Sequence, residues 1–361
     1  MAPPAAAPVP PELTAAADAL IAEVGITADA DLIRRILTTG VGLGIDHADR
    51  LDLKITSAAL TEMRAAFDLF APYREVPKVT VFGSARTKPD SMLYRQASGV
   101  ARALAHRGWM VVTGAGPGIM QAAAEGAGPR RSLGVSIRLP FEEKPNPVIA
   151  AGANNVAMKY FFTRKLMLVK ESQGFVCVPG GFGTLDEMFE LLTLQQTGKA
   201  EPAPIVLLDE PGGTFWTGLR GYVDDHLVPA GVISPGDFDR VRVTDSVEAA
   251  AEEIAGFWRN YDSLRWVGAR LVLRVRRTPT PAEVDDLNTR FGTLLAVGRI
   301  ESRGPLQPER EDGDRLELPR LVLQPDQFQV GELHRLIRAI NALDSAADPD
   351  GERGAGRERI G

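Results

Sequence analysis

The stretch Val178-Pro179-Gly180-Gly181-Phe182-Gly183-Thr184-Leu185-Asp186-Glu187 sets three glycines and a threonine directly ahead of a carboxylate. An apolar run, residues 175–178, leads into it, so a buried strand is expected to break into a tight turn that opens a helix. That arrangement suits one chemical task, holding an anion at a helix start beside an acid. Glycine lets backbone N–H groups converge and approach a ligand closely, and the helix start adds partial positive charge. A phosphate is the expected guest of Gly180, Gly181, Gly183 and Thr184. Glu187 follows Thr184 by three residues, the spacing of a Thr N-cap with a reciprocal Glu, so a purely structural capping box stands beside the catalytic reading.

Two further apolar segments end in glycine turns. Residues 78–86 read KVTVFGSAR and bring Gly83, Ser84 and Arg86; residues 111–120 read VVTGAGPGIM and bring Gly114, Gly116, Gly118 and Met120. In an open parallel sheet, ligands bind outside the carboxyl ends of the strands, so the three turns are expected to gather at one edge. The hydroxyl of Ser84 and the guanidinium of Arg86 suit a phosphate or a ribose hydroxyl, while Ser84 equally suits an N-cap for the helix that follows. Met120 either packs against a flat base or belongs to the core. Asn154 and Asn155 either touch ligand or cap the next helix. His47, His106, His226 and His334 share no metal-ligand spacing, so no metal site is assigned.

The elements that must position these residues alternate. Strand-like and helix-like segments follow one another from residue 76 to 262, with helices expected over 94–106, 119–126, 160–170 and 185–197, which argues for a Rossmann-like, doubly wound parallel sheet of the α/β class. A helical extension precedes it over 13–75, with apolar residues at helical spacing in Leu32, Ile33, Ile36 and Leu37. After it, residues 265–345 read as a small α+β appendage whose acidic insert PEREDGDR is expected to be an exposed loop. Residues 1–12 and 346–361 read as disordered ends.

The chain has 361 residues, 44% of them hydrophobic, and a formal net charge of -6. That length supports more than one structural unit, and the charge offers no general surface for nucleic acid. The lone cysteine, Cys177, excludes an intrachain disulfide and reads as a small core residue. No apolar run approaches the roughly 20 residues that span a bilayer, and the Pro/Ala-rich start lacks the form of a secretory signal, so a cytoplasmic location is expected.

The set FGSAR (82–86), TGAGPGIMQAA (113–123), FFTRK (161–165) and PGGFGTLDE (179–187) resembles the LOG (lonely guy) family of Rossmann-like phosphoribohydrolases. The likeness covers roughly residues 76 to 250, and PGGxGTxxE with an upstream Arg-Lys pair is its most specific part. Such proteins are nucleotide 5'-monophosphate nucleosidases or cytokinin riboside 5'-monophosphate phosphoribohydrolases; the older label of lysine decarboxylase also attaches to them, although nothing here reads as a pyridoxal phosphate site. The resemblance implies hydrolysis of the N-glycosidic bond of a purine nucleoside 5'-monophosphate, AMP or a cytokinin riboside 5'-monophosphate, to free base and ribose 5-phosphate, without a cofactor. It implies Arg164 and Glu187 as the catalytic pair, Lys165 and the glycine turns as substrate contacts, and a homodimer or higher homo-oligomer. Arg164 alone reads equally as a surface ion-pair partner. The chain departs from TGGGPGIMEAA at Ala115 and Gln121, which bears on the base more than on the reaction. A nucleotide or phosphorylated-cofactor carrier on the same fold is the alternative.

Overall fold

A computed structural model of the chain describes residues 9–138, 145–152, 154–234, 236–326 and 330–347. The chain divides into two compact units, Met1–Arg64 and Ala65–Gly361. The first contains helices α1 (Pro11–Glu23), α2 (Ala30–Ile45) and most of α3 (Arg50–Phe70). Helix α1 begins at Pro11, inside the stretch expected to be disordered, because proline fits the first helical turn, where its missing N–H has no partner to lose. Residues 1–8 and 348–361, the rest of the two expected disordered ends, lie outside the described residues.

The second unit is built on a sheet of seven parallel strands. In chain order they are β1 (Lys78–Phe82), β2 (Met110–Thr113), β3 (Ser132–Ile137), β4 (Asn155–Met158), β5 (Gly174–Cys177), β6 (Ile205–Leu208) and β7 (Val241–Thr244). They lie in the order β4-β3-β2-β1-β5-β6-β7. Strands β1, β2, β5 and β6 are buried at every position, as continuous apolar runs covered on both faces must be. The connecting helices are α4 (Met92–His106), α5 (Ile119–Ala127), the single-turn α6 (Pro147–Ala150), α7 (Phe161–Lys170), α8 (Phe182–Gln196), α9 (Phe215–Tyr222) and α10 (Val247–Gly256). Helices α4, α5 and α10 bury Val100, Leu104, Ile119 and Ile254 against Val79, Val81, Val176 and Val206 on one face. On the other face Thr80 donates its hydroxyl to the carbonyl of Leu168 in α7. The doubly wound α/β fold is therefore present. Strand β4 has only four residues, Asn155-Val156-Ala157-Met158, too short and too mixed to signal a strand in the sequence.

Strand β1 pairs with β2 on one side and with β5 on the other, Phe82 lying opposite Cys177. The strand order reverses between β1 and β5, and their carboxyl ends run into Gly83-Ser84 and Val178-Pro179-Gly180. This is the switch point where open α/β sheets bind ligands.

A second sheet, antiparallel and ordered β10-β11-β9-β8, contains β8 (Tyr261–Val267), β9 (Arg270–Val275), β10 (Leu295–Arg303) and β11 (Arg320–Pro325). Its core joins Leu271, Leu273, Leu321 and Leu323 to Leu287 of α11 (Pro281–Phe291) and to Leu336 and Ile340 of α13 (Val330–Asn341). Strand β8 corrects the expected limits of this part: the sheet starts at Tyr261, not after residue 264. The acidic insert is a second correction. It forms α12 (Gln307–Asp312), and Glu309, fully buried, pairs with Arg274 at 2.9 Å and Arg320 at 3.2 Å. Two guanidinium groups compensate the buried carboxylate, which the local composition could not reveal. Among the described residues no helix is long and apolar enough to cross a membrane, and no group of three or more His, Cys, Asp or Glu is placed to hold a metal ion.

Candidate active site at the switch point

The turn after β5 enters α8 without a side-chain cap. Gly181 is the N-cap residue, and Thr184 lies inside the first turn, 5% exposed. The capping box is therefore absent: Thr184 is three positions too far into the helix to cap it. The first-turn N–H groups of Phe182, Gly183 and Thr184 have no partner within the helix, which is the condition for anion binding. A methyl group on Gly180 would collide with the Thr184 side chain and lie 3.0 Å from the Ser84 nitrogen. Methyl groups on Gly181 and Gly183 would meet no described atom within 4 Å. Gly180 is thus required by packing, whereas Gly181 and Gly183 leave their backbone open.

The other two turns abut this one. The Ile119 N–H donates to the Ser84 carbonyl at 3.0 Å, and Gly118, with φ of 66°, lies so close to Ser84 and Ala85 that no side chain fits. Gly83 is pressed against Ile119. Ser84 does not cap a helix: its Oγ accepts from the Arg86 N–H at 3.1 Å, and Ser91 caps α4 instead. Arg86 is exposed beside the turn. Met120 is half-buried over the second turn, its Sδ and Cε 2.8 and 2.7 Å from where methyl groups on Gly114 and Gly116 would stand.

Arg164 enters from α7. It is 8% exposed; its Nε donates to the Val135 carbonyl at 2.9 Å, and Nη1 reaches Glu187 Oε1 at 3.4 Å. A methyl on Gly114 would overlap the guanidinium, so the glycine there is a steric condition for Arg164. Burial pushes the Glu187 carboxyl up to about 7, against the opposing pull of Arg164 and, more weakly, Lys165. Burial also works against the charge on Arg164, but a guanidinium stays protonated at physiological pH. Lys165 turns elsewhere on the helix and pairs with Asp186 at 2.7 Å and Glu190 at 3.0 Å. The structure thus brings Arg164, Glu187, Met120 and the three glycine turns together, and places the Lys165 ammonium in separate ion pairs.

Sequence reasoning missed Asn146 and the hold it has on Ala115. Asn146, 4% exposed, caps α6 and binds the turn after β2, and Ala115 adopts φ of 60°. The signal available for Asn146 was the Asn-Pro pair, an N-cap followed by proline at the first helical position. Neither Asn154 nor Asn155 caps α7: Asn154 Oδ1 accepts from the Tyr73 hydroxyl at 3.4 Å, and Asn155 opens β4, its Nδ2 3.3 Å from Ser136 Oγ.

The family described as "Possible lysine decarboxylase" matches residues 118–254. A cytokinin riboside 5'-monophosphate phosphoribohydrolase of Mycobacterium tuberculosis is 31% identical over 167 residues, which is 45% of this chain and 86% of the relative. The chain belongs to the LOG family. A cytokinin riboside 5'-monophosphate phosphoribohydrolase of Rhodococcoides fascians is 30% identical over 188 residues, 51% of this chain and 92% of the relative. Among solved structures, the molybdenum cofactor binding protein of Rippkaea orientalis aligns with 20% identity and a TM-score of 0.37, covering 50% of this chain and 96% of that one. The family match takes in Gly118, Met120, Arg164, Lys165 and the whole PGGFGTLDE turn of this LOG-family chain; the first glycine turn and Gly114 to Gly116 precede it.

Proposed function

We propose that the protein hydrolyses the N-glycosidic bond of a purine nucleoside 5'-monophosphate, AMP or a cytokinin riboside 5'-monophosphate, giving free base and ribose 5-phosphate. The observation that carries the reading is the Arg164–Glu187 pair, 3.4 Å apart and shielded from water at the start of α8. The helix start receives the 5'-phosphate, and the carboxylate one turn further on faces the ribose. Water adds across the bond: its oxygen goes to the anomeric carbon, and a proton goes to the departing base nitrogen. Positive charge grows on the ribose ring as that bond opens, and an ionised Glu187 stabilises it or takes the one proton that the attacking water gives up, which ends on the base nitrogen while the hydroxyl stays on the anomeric carbon. Arg164 orients the carboxylate and favours its ionised form. Met120 supplies a polarisable face for a base.

The test is a panel of nucleoside monophosphates with chromatographic detection of free base. Wild type should release base from at least one purine monophosphate, with kcat/KM rising as pH passes from 6 to 8 through the Glu187 titration near 7. The Glu187→Gln variant should lose about 10²- to 10⁴-fold in kcat while still binding AMP. Wild type that binds AMP and never cleaves a monophosphate would leave a nucleotide-binding protein.

The homodimer belongs to the same proposal. A cavity of about 980 Å³ runs along α7 and α8, with Phe161, Phe162 and Leu166 exposed in it. Three lysines (165, 170, 199) and the acids Asp186, Glu190 and Glu201 share its walls, a balance that suits the self-complementary contact of a two-fold dimer. Light scattering should give a dimer for wild type and a monomer for Phe162→Asp; a monomeric wild type sinks this part.

A further inference from the structure

We propose that Asn146 is a positioning residue for the Arg164–Glu187 pair, acting through the backbone turn of Ala115 and Gly116; the inference rests on the catalytic reading of that pair. Asn146 spends every polar group it has. Its main-chain N–H donates to the Ala115 carbonyl at 2.8 Å, and Nδ2 donates to the carbonyls of Ala115 and Gly116, each at 3.1 Å. Its Oδ1 accepts from the Ile149 N–H at 3.2 Å. A side chain with only a capping task would need the last of these alone.

The turn that Asn146 holds is strained. Ala115 is 1% exposed and left-handed, with φ of 60°, a conformation disfavoured for a residue with a Cβ. Two restraints keep it there: the bonds from Asn146 on its carbonyl, and the burial of its methyl with Ala124 and Ile149. Its own N–H is tied to Thr113 Oγ1 at 3.1 Å. Gly114, between Thr113 and Ala115, has no room for a methyl against Arg164 Nη2. The guanidinium therefore lies hard against Gly114, while its Nε donates to the Val135 carbonyl at 2.9 Å. Releasing the turn frees the Gly114 contact. Arg164 then loses its fixed reach to Glu187, which at 3.4 Å lies near the limit of a hydrogen bond.

Two variants of the full chain separate support of the turn from capping of α6. Asn146→Ala removes both. Asn146→Ser keeps an oxygen suited to the cap but has no pair of amide protons for the two carbonyls, and it adds no charge. Two readouts are taken: kcat and KM for the released base, and the titration of the Glu187 side-chain carboxyl by ¹³C NMR, assigned with Glu187→Gln. The second needs no turnover, so it stands even if no nucleotide is cleaved. Both variants should lose about tenfold to a hundredfold, in kcat more than KM, and should move the Glu187 midpoint upward by about half a pH unit or more. Asn341→Ala is the control. Asn341 is another buried asparagine that bonds three main-chain groups, those of Asn260, Tyr261 and Phe257, so its loss should lower the melting temperature and leave the Glu187 midpoint where it was. A wild-type midpoint in Asn146→Ser, or an equal shift in Asn341→Ala, overturns the proposal. Absence of base release by wild type sinks the catalytic reading alone.

Discussion

Glu187 is a carboxylate whose surroundings pull in two directions. Burial favours the neutral acid and Arg164 favours the anion; burial prevails, and the group titrates near 7, above its ordinary value of 4.5. A raised carboxyl pKa stabilises the fold below the unfolded value and gives that stabilisation up as pH climbs through the folded one. The window is therefore pH 4.5 to 7. Glutamine has no such dependence. The melting temperature of Glu187→Gln relative to wild type should increase from pH 5 to pH 8, and a difference that stays flat across that range contradicts the assignment. The same substitution lowers kcat about 10²- to 10⁴-fold under the proposed mechanism, so stability and activity move oppositely at one residue.

Glycines at the strand ends divide into two kinds at the scale of elements. Gly114 and Gly180 are hemmed in by side chains, whereas Gly181 faces open space. Gly114→Ala should displace the Arg164 guanidinium and lower kcat/KM about a hundredfold even where the chain folds. Gly181→Ala should leave the melting temperature within a few degrees of wild type and raise KM for a phosphorylated substrate, because its methyl enters the cradle. Circular dichroism melts with steady-state kinetics separate the two; equal behaviour would refute the distinction. The glycine turn itself was legible, since a run of glycines between an apolar strand and a helix is a local pattern. So was the alternation of strands and helices. Long-range contacts were not. Glu309 reads as a solvated acid among PEREDGDR until Arg274 and Arg320 arrive from two strands, and Thr184 reads as a cap until α8 is seen to start earlier, at Phe182. Asn146 belongs with these, because its partners lie about thirty residues away on another strand end.

Across the whole second unit, the antiparallel sheet is not a loose appendage. Arg338 of α13 donates to Glu253 of α10 at 2.8 Å and to the carbonyls of Asp239 and Arg240, and Gly331 is pressed against the Gly236 backbone. His334 sits fully buried in this seam, beside Phe257, with neither ring nitrogen hydrogen-bonded. Burial, then the charges of Arg338 and Arg240, lowers its pKa to about 3. The unfolded chain takes up a proton near 6.5 and the folded one does not, so stability falls as pH drops from 6.5 toward 3. His334→Phe should therefore gain in melting temperature over wild type at pH 5 relative to pH 7.5; no gain at the lower pH would show that the ring is not held neutral.

The glycine cradle and Glu187 ride on one helix, and that fixes a length. From the unpaired N–H groups of residues 182–184 to Glu187 is three to five residues, a rise of about 4.5–7.5 Å along α8. No hinge or loop lies between the two points, so the interval does not stretch with the ligand. Under the proposed function the helix acts as a gauge, suited to molecules whose phosphate and reacting bond are one ribose apart. Under the proposed reading, a nucleoside without its 5'-phosphate, or one phosphorylated only on the 3'-hydroxyl, would engage one end of the gauge and miss the other.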